Sequence, residues 1–192
     1  GTPLLAVAPA VENMPGPHST RPGDVVTALN GKTVDIINTD AEGRLILGDA
    51  LTYAERLGAT HVVDVATLTG AVARAFGHLV SGGFGSPQAW YDEVAAAAGR
   101  AGERFWQLPL VEEYWPEMES WYADMANVGS STEAGLIRSA LFLRQSVPFG
   151  VPDTFGDMAV GFGQAVDLRD VEAERLHRGE RRGGGRSASG ED

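Results

Sequence analysis

The chain has no cysteine in its 192 residues. It can form neither a disulfide nor a thiolate metal site, and it fits a reducing compartment. Lysine is almost missing too: of the 15 basic residues, only Lys32 is a lysine. The four histidines, His18, His61, His78 and His177, stand far apart. No H-x-x-H or H-E-x-x-H spacing occurs, which argues against a histidine zinc site. There is no G-x-S-x-G nucleophile elbow and no G-x-x-x-x-G-K-S/T phosphate loop. Gly82-Gly83-Phe84-Gly85 does not continue into a nucleotide fingerprint. No apolar run approaches the roughly 20 residues that a membrane helix needs.

Positive charge is also short. The 26 acidic residues outnumber the bases, for a net charge of −11. Residues 1–167 hold 20 acids and 9 bases, and residues 168–192 hold 6 of each. An acidic body disfavours nucleic acid and suits metal ions or the free amine of a peptide.

What is present is an ordinary globular balance, 43% hydrophobic and 21% charged, with length for one sizeable core. Leu4 to Ala8 reads as a buried strand. Residues 13–24, with Pro15, Pro17 and Pro22, read as a loop. Val25 to Leu29 and Thr33 to Ile37 read as strands around an Asn30-Gly31 hairpin turn that includes Lys32. Leu45 to Leu57 has helical apolar spacing. His61 to Ala66 is a β-branched run fit for an interior parallel strand. Thr69 to Phe76, Gln88 to Ala101, Glu112 to Met118 and Gly135 to Val147 read as helices, and Leu79 to Phe84 as a strand. This alternation predicts an α/β fold, a mixed β-sheet sandwiched between helices. Residues 1–167 form one unit. Residues 168–192, rich in arginine, glycine and serine, are expected to be a disordered tail.

Asn38-Thr39-Asp40-Ala41-Glu42-Gly43-Arg44 carries the most information. In an extended segment, Asp40, Glu42 and Arg44 would share one face. Two carboxylates aimed at one spot suit a divalent metal. An arginine beside them suits an anion or a developing oxyanion. Thr39-Asp40-Ala41-Glu42 fits a capping box equally well, which would make the acids a solvated helix start. Thr67-Leu68-Thr69-Gly70 follows a strand, where open α/β folds place ligands. It also reads as a plain strand-to-helix turn, with Thr69 as cap and Gly70 giving a close approach. Asp64, inside an apolar strand, reads as buried with a partner. Trp90, Trp106, Trp115 and Trp121 read as core or interface packing.

Asn38 to Ala50, NTDAEGRLILGDA, resembles the signature of the leucyl (cytosol) aminopeptidase family. Glu12-Asn13-Met14-Pro15, Thr20 to Val25, Asn30 to Thr33, Asp64 to Ala71, Asn127-Val128-Gly129 and Ser139 to Leu143 resemble other blocks of that family. The likeness covers roughly residues 4 to 147, in order. Phe155 to Ala159 loosely resembles the family's last strand.

The resemblance implies the C-terminal catalytic region of an enzyme that removes leucine-like N-terminal residues from peptides. It makes Asp40 and Glu42 ligands of two divalent ions, manganese or zinc or else magnesium. It makes Arg44 the catalytic holder of a bicarbonate ion. Thr67, Leu68 and Gly70 become lining of the substrate pocket. It implies a cytoplasmic homo-oligomer, a hexamer; the acidic composition argues against nucleic acid through this region, and the lack of a long apolar run against a membrane partner.

Family members carry two functional lysines and two aspartate ligands upstream of this signature, and that segment is not in this chain. Lys32 follows the family's surface turn and fills neither role. The chain is therefore expected to be a fragment or truncated form, inactive alone. The alternative is a non-catalytic truncated paralogue that acts as an oligomer-forming or interaction protein.

Overall fold

The computed structural model describes residues 3–146 and 157–161. The Asn30-Gly31 pair turns the chain as the sequence predicts. Gly31 takes φ +89°, where a β-carbon would be strained. The Asn30 side chain accepts from Lys32 N at 3.0 Å. Around this turn β1 (Val25–Thr27) and β2 (Thr33–Asp35) pair antiparallel, Val26 opposite Val34.

A 3-10 turn (Thr39–Ala41) then leads into α1 (Gly43–Arg56). There follow β3 (Asp64–Val65), α2 (Ala71–Phe76), β4 (Ser81–Ser86), α3 (Gln88–Arg100) and β5 (Phe105–Gln107). A 3-10 helix (Glu112–Met118), β6 (Met125–Ala126), α4 (Gly135–Arg144) and β7 (Asp157–Gly161) complete the described elements.

Two sheets result. The smaller runs β1-β2-β6, with β6 parallel to β2. The larger runs β3-β7-β4-β5 and is mixed: β7 is parallel to β3 and antiparallel to β4, and β4 is parallel to β5. The mixed α/β expectation holds.

The core has two parts. Trp90, Tyr91, Val94, Ala97 and Ala98 of α3 form one, with Phe105 of β5 packed against them. The other joins Val34 and Ile36 to Leu51 of α1, Met118, Met125, and Phe142 and Leu143 of α4. Burying an apolar side chain of this size stabilises by about 1.5–3 kcal/mol. The helices α1 and α4 meet closely enough for the Thr52 hydroxyl to reach the Ser146 carbonyl at 2.8 Å. Lys32 ties the hairpin to the end of α4, its Nζ donating to Gln145 Oε1 at 2.7 Å. Burial lowers the pKa of that amine.

Two expectations need correction. Leu4 to Ala8 is not a buried strand: it has no regular structure, and Leu4 is 70% exposed. A strand depends on a partner's hydrogen bonds, and this segment pairs with none of the described strands. The run from His61 to Ala66 gives only two strand residues. They lie at the end of the sheet order rather than inside it. Of the tryptophans read as core or interface packing, Trp90 is core, and Trp106 and Trp121 are 63% and 98% exposed. The expected tail, 168–192, lies outside the described residues.

Gly83 of β4 lies against the Phe105 ring, which stacks on Tyr91 with centroids 5.6 Å apart. A β-carbon at Gly83 would overlap the Phe105 ring. Gly83→Ala is expected to cost about 1–3 kcal/mol, the range for an overpacked core. The measurement is the urea midpoint of the complete gene product. An unchanged midpoint would mean that the ring swings clear at no cost.

Candidate functional site

The site begins where β2 ends. Beyond Asp35 the chain leaves the sheet, and the backbone N–H groups of Ile37 and Asn38 need new acceptors. Both donate to the Asn127 side-chain oxygen, at 2.9 and 3.2 Å. Asn127 Nδ2 donates back to the Asn38 carbonyl at 2.6 Å. Asn38 has extended backbone angles, and its own side chain accepts from Asp40 N at 3.0 Å. It therefore caps the 3-10 turn that carries Asp40.

Glu42 follows with helical angles and stands at the head of α1, without a side-chain capping bond. The segment is thus neither the extended strand expected nor a Thr39 capping box. An asparagine cap outcompetes both because no strand partner is offered here among the described residues and Asn38 can satisfy an N–H locally.

Asp40, Glu42 and Arg44 nevertheless share a cavity. They line a cavity of about 1060 Å³, with Asp64, Thr67 and Leu68 also on its wall. Gly70 is not on that wall. It heads α2 with φ −62°, and the nearest atom to a β-carbon there would be Arg74 Nη1 at 3.8 Å. No close approach requires a glycine. The cap of α2 is Gly70 rather than the expected Thr69, whose hydroxyl accepts from Ala71 N at 3.3 Å in the turn that precedes the helix. Asp64 is buried, as expected.

Two polar atoms on this wall stand out. Among the described residues, Glu42 Oε2 and Arg44 Nε are both buried without a hydrogen-bond partner. A buried polar group left unpaired costs about 1–3 kcal/mol, more when charged. Arg44 is otherwise well held. Its Nη1 donates to the Asn127 carbonyl at 2.9 Å, and its guanidinium lies 6.0 Å from the centre of the Phe142 ring. Burial, and then the charge of Arg138, push its pKa down to about 10, so it stays cationic at neutral pH. Arg138 itself is buried but compensated, by Glu117 and the Ser131 carbonyl. Arg44 has no such counter-charge among the described residues, and its open Nε suits an anion.

An open carboxylate oxygen suits a metal ion, so Glu42 fits that use. The set is short, however. Among the described residues, no three His, Cys, Asp or Glu side chains converge as a metal-ligand group. The residue that organises the site, Asn127, was visible in the sequence only as part of Asn127-Val128-Gly129. A polar residue directly after the apolar pair Met125-Ala126 was the available signal.

The sequence profile of the cytosol aminopeptidase family, catalytic domain, matches residues 2–170. A probable cytosol aminopeptidase of Solibacter usitatus is 58% identical over 143 residues, 74% of this chain and 30% of that protein. One from Nitrosomonas eutropha is 54% identical over 140 residues, 73% of this chain and 28% of that protein. A mutant of tomato leucine aminopeptidase superposes with a TM-score of 0.74 at 45% identity, covering 79% of this chain and 29% of that one. The chain spans less than a third of the length of these relatives.

The unpartnered Glu42 oxygen gives a test that needs no assay of activity. Without added divalent ions, Glu42→Gln should leave Tm unchanged or raise it, because an unpaired buried charge is removed. The rise in Tm on adding manganese, worth about 2.7 kcal/mol at a hundred times Kd, should shrink in the variant. A lower Tm in the ion-free variant would show instead that Glu42 is held by the fold itself.

Proposed function

The chain belongs to the cytosol aminopeptidase family, of whose catalytic domain it carries a part, and from that premise we propose that its gene product is a metal-dependent aminopeptidase. Its substrates are peptides, from which it hydrolyses leucine-like N-terminal residues. The observation that supports this best is the pair of unpartnered atoms, Glu42 Oε2 and Arg44 Nε, on the wall of one cavity.

Asp40 and Glu42 would hold divalent ions, manganese or zinc or else magnesium. When bound, such ions polarise a scissile carbonyl and lower the pKa of water. The remaining work falls to this chain's own side chains. Arg44, fixed by Nη1 to Asn127, keeps its other N–H groups for a small anion such as bicarbonate. An anion held there would share the cavity with the carboxylates, where it could orient water or accept a proton. Thr67 and Leu68 border the space for the first side chain of the peptide, and the Gly70 turn adjoins them. The acidic surroundings favour the peptide's free amine.

No helix among the described residues is long and apolar enough to cross a membrane. We place the protein in the cytoplasm as a homo-oligomer, a hexamer by family likeness, with no nucleic acid bound through this region. The exposed Trp106 and Trp121 offer aromatic surface for such contacts.

A second reading, a non-catalytic interaction protein, draws support from the short ligand set among the described residues. Turnover of leucyl-p-nitroanilide by the complete gene product separates the two. Metal-dependent turnover that Asp40→Ala and Glu42→Ala each abolish supports the enzyme, since each variant removes a ligand. Arg44→Ala should lower kcat by about 10²- to 10³-fold, the scale of one lost transition-state contact, with bound metal unchanged. Absence of turnover in the metal-loaded parent would favour the second reading.

A further inference from the structure

We propose that Asn127 is a positioning residue, which sets where Asp40, Glu42 and Arg44 stand by clamping the chain on both sides of the two carboxylates. The inference rests on the aminopeptidase reading for its catalytic consequence, but its geometry stands alone. Asn127 is fully buried, with 0% exposure. Its backbone N–H donates to the Asp35 carbonyl at 2.9 Å, continuing the parallel pairing of β6 with β2 by one residue. Its side chain then takes over where that ladder stops, holding Ile37 and Asn38 by three hydrogen bonds. Its carbonyl accepts from Arg44. One residue thus fixes positions 37, 38 and 44, with the two carboxylates between them.

Little else among the described residues restrains this stretch from outside. Asn13 reaches the Thr39 carbonyl only at 3.4 Å, on the exposed surface. The remaining restraint on Asp40 is internal, the Asn38 cap. Loss of the Asn127 side chain would leave two N–H groups and a carbonyl to find other partners. Relief would come from movement of residues 37–42, because β2 and α1 on either side contribute side chains to the buried cluster, whereas within 37–42 only Ala41 is buried. Outer groups of this kind tune a site by orienting the residues that touch the ligand.

The test uses Asn127→Ala and Asn127→Asp in the complete gene product. Asp keeps the acceptor for Ile37 and Asn38 but, when ionised, cannot donate to the Asn38 carbonyl. For leucyl-p-nitroanilide, kcat should fall about 10- to 100-fold in Asn127→Ala, the scale for a lost orienting group. The kcat of Asn127→Asp should lie between those of Asn127→Ala and the parent, and KM should stay close to the parent's in both. A second readout is independent of activity. Amide hydrogen exchange should quicken in peptides spanning 36–46 and stay at the parent's rate in α3, residues 88–100.

Parent-like kcat in a folded Asn127→Ala, or exchange that quickens evenly through the chain, would overturn the proposal. If Asn127→Ala does not fold, the same two measurements on Asn127→Asp decide it: parent-like kcat or evenly quickened exchange there overturns the proposal. A parent without turnover would sink the aminopeptidase reading, and local exchange alone would then decide the role of Asn127.

Discussion

The placement of the candidate site hangs on the end of one parallel strand pair. β6 accompanies β2 for two residues, Val34 with Met125 and Asp35 with Ala126. There the ladder stops while the backbone still has N–H groups to place. The Asn127 side chain imitates a further stretch of strand: an acceptor for two N–H groups and a donor for one carbonyl. A backbone partner would have kept the chain extended, with Asp40, Glu42 and Arg44 along one face. A side-chain partner satisfies the same groups and then releases the chain, which turns at Asn38 and enters α1 at Gly43. The anchor is firm because the residues around it, Val34, Ile36, Met125 and Phe142, belong to one buried cluster.

The two arginines near this point show how charge is divided. Arg138 is the more deeply buried, and its guanidinium is spent on Glu117 and Ser131. Arg44 is less buried but lacks a counter-charge among the described residues, and Arg138 adds repulsion to it. A folded chain tolerates such a group when the rest of the site over-determines its place, and here the Asn127 carbonyl and the Phe142 ring do so. In a chain of net charge −11, this makes one small cationic spot on a cavity that otherwise favours cations. In the proposed aminopeptidase, an anion would be drawn to Arg44 and a metal or amine to Asp40 and Glu42 on the same cavity.

Much of this could be read from the sequence, where local signals decide. The Asn30-Gly31 turn, α1, α3 and α4 followed from turn chemistry and from apolar residues at helical spacing. The residues that gather at the cavity, Asp40, Glu42, Arg44, Thr67 and Leu68, followed from the family resemblance. What could not be read is what depends on a distant partner. β5 and β6 are three and two residues long, and nothing in Phe105–Gln107 or Met125–Ala126 marks them as strands apart from the chain they pair with. Leu4 to Ala8 looks like a strand by content and is not one here, for the converse reason. Asn127 sits 83 residues from Arg44, beyond the reach of any periodicity.

The backbone form of the Asn38 to Arg44 segment has a consequence of its own. Glu42 and Arg44 are opposite charges two residues apart. On one face of a strand, such a pair is close enough to form an ion pair, and each group would quench the other. At a helix start, residues i and i+2 do not face each other. Glu42 Oε2 and Arg44 Nε accordingly remain without hydrogen bonds among the described residues, although both are buried on the same cavity wall. In the proposed aminopeptidase, that cost in stability would be the condition of their use. Only charges that cannot satisfy each other stay available to a ligand that carries both a cation and an anion. The turn at Asn38, which spoils the expected strand, is what keeps them apart.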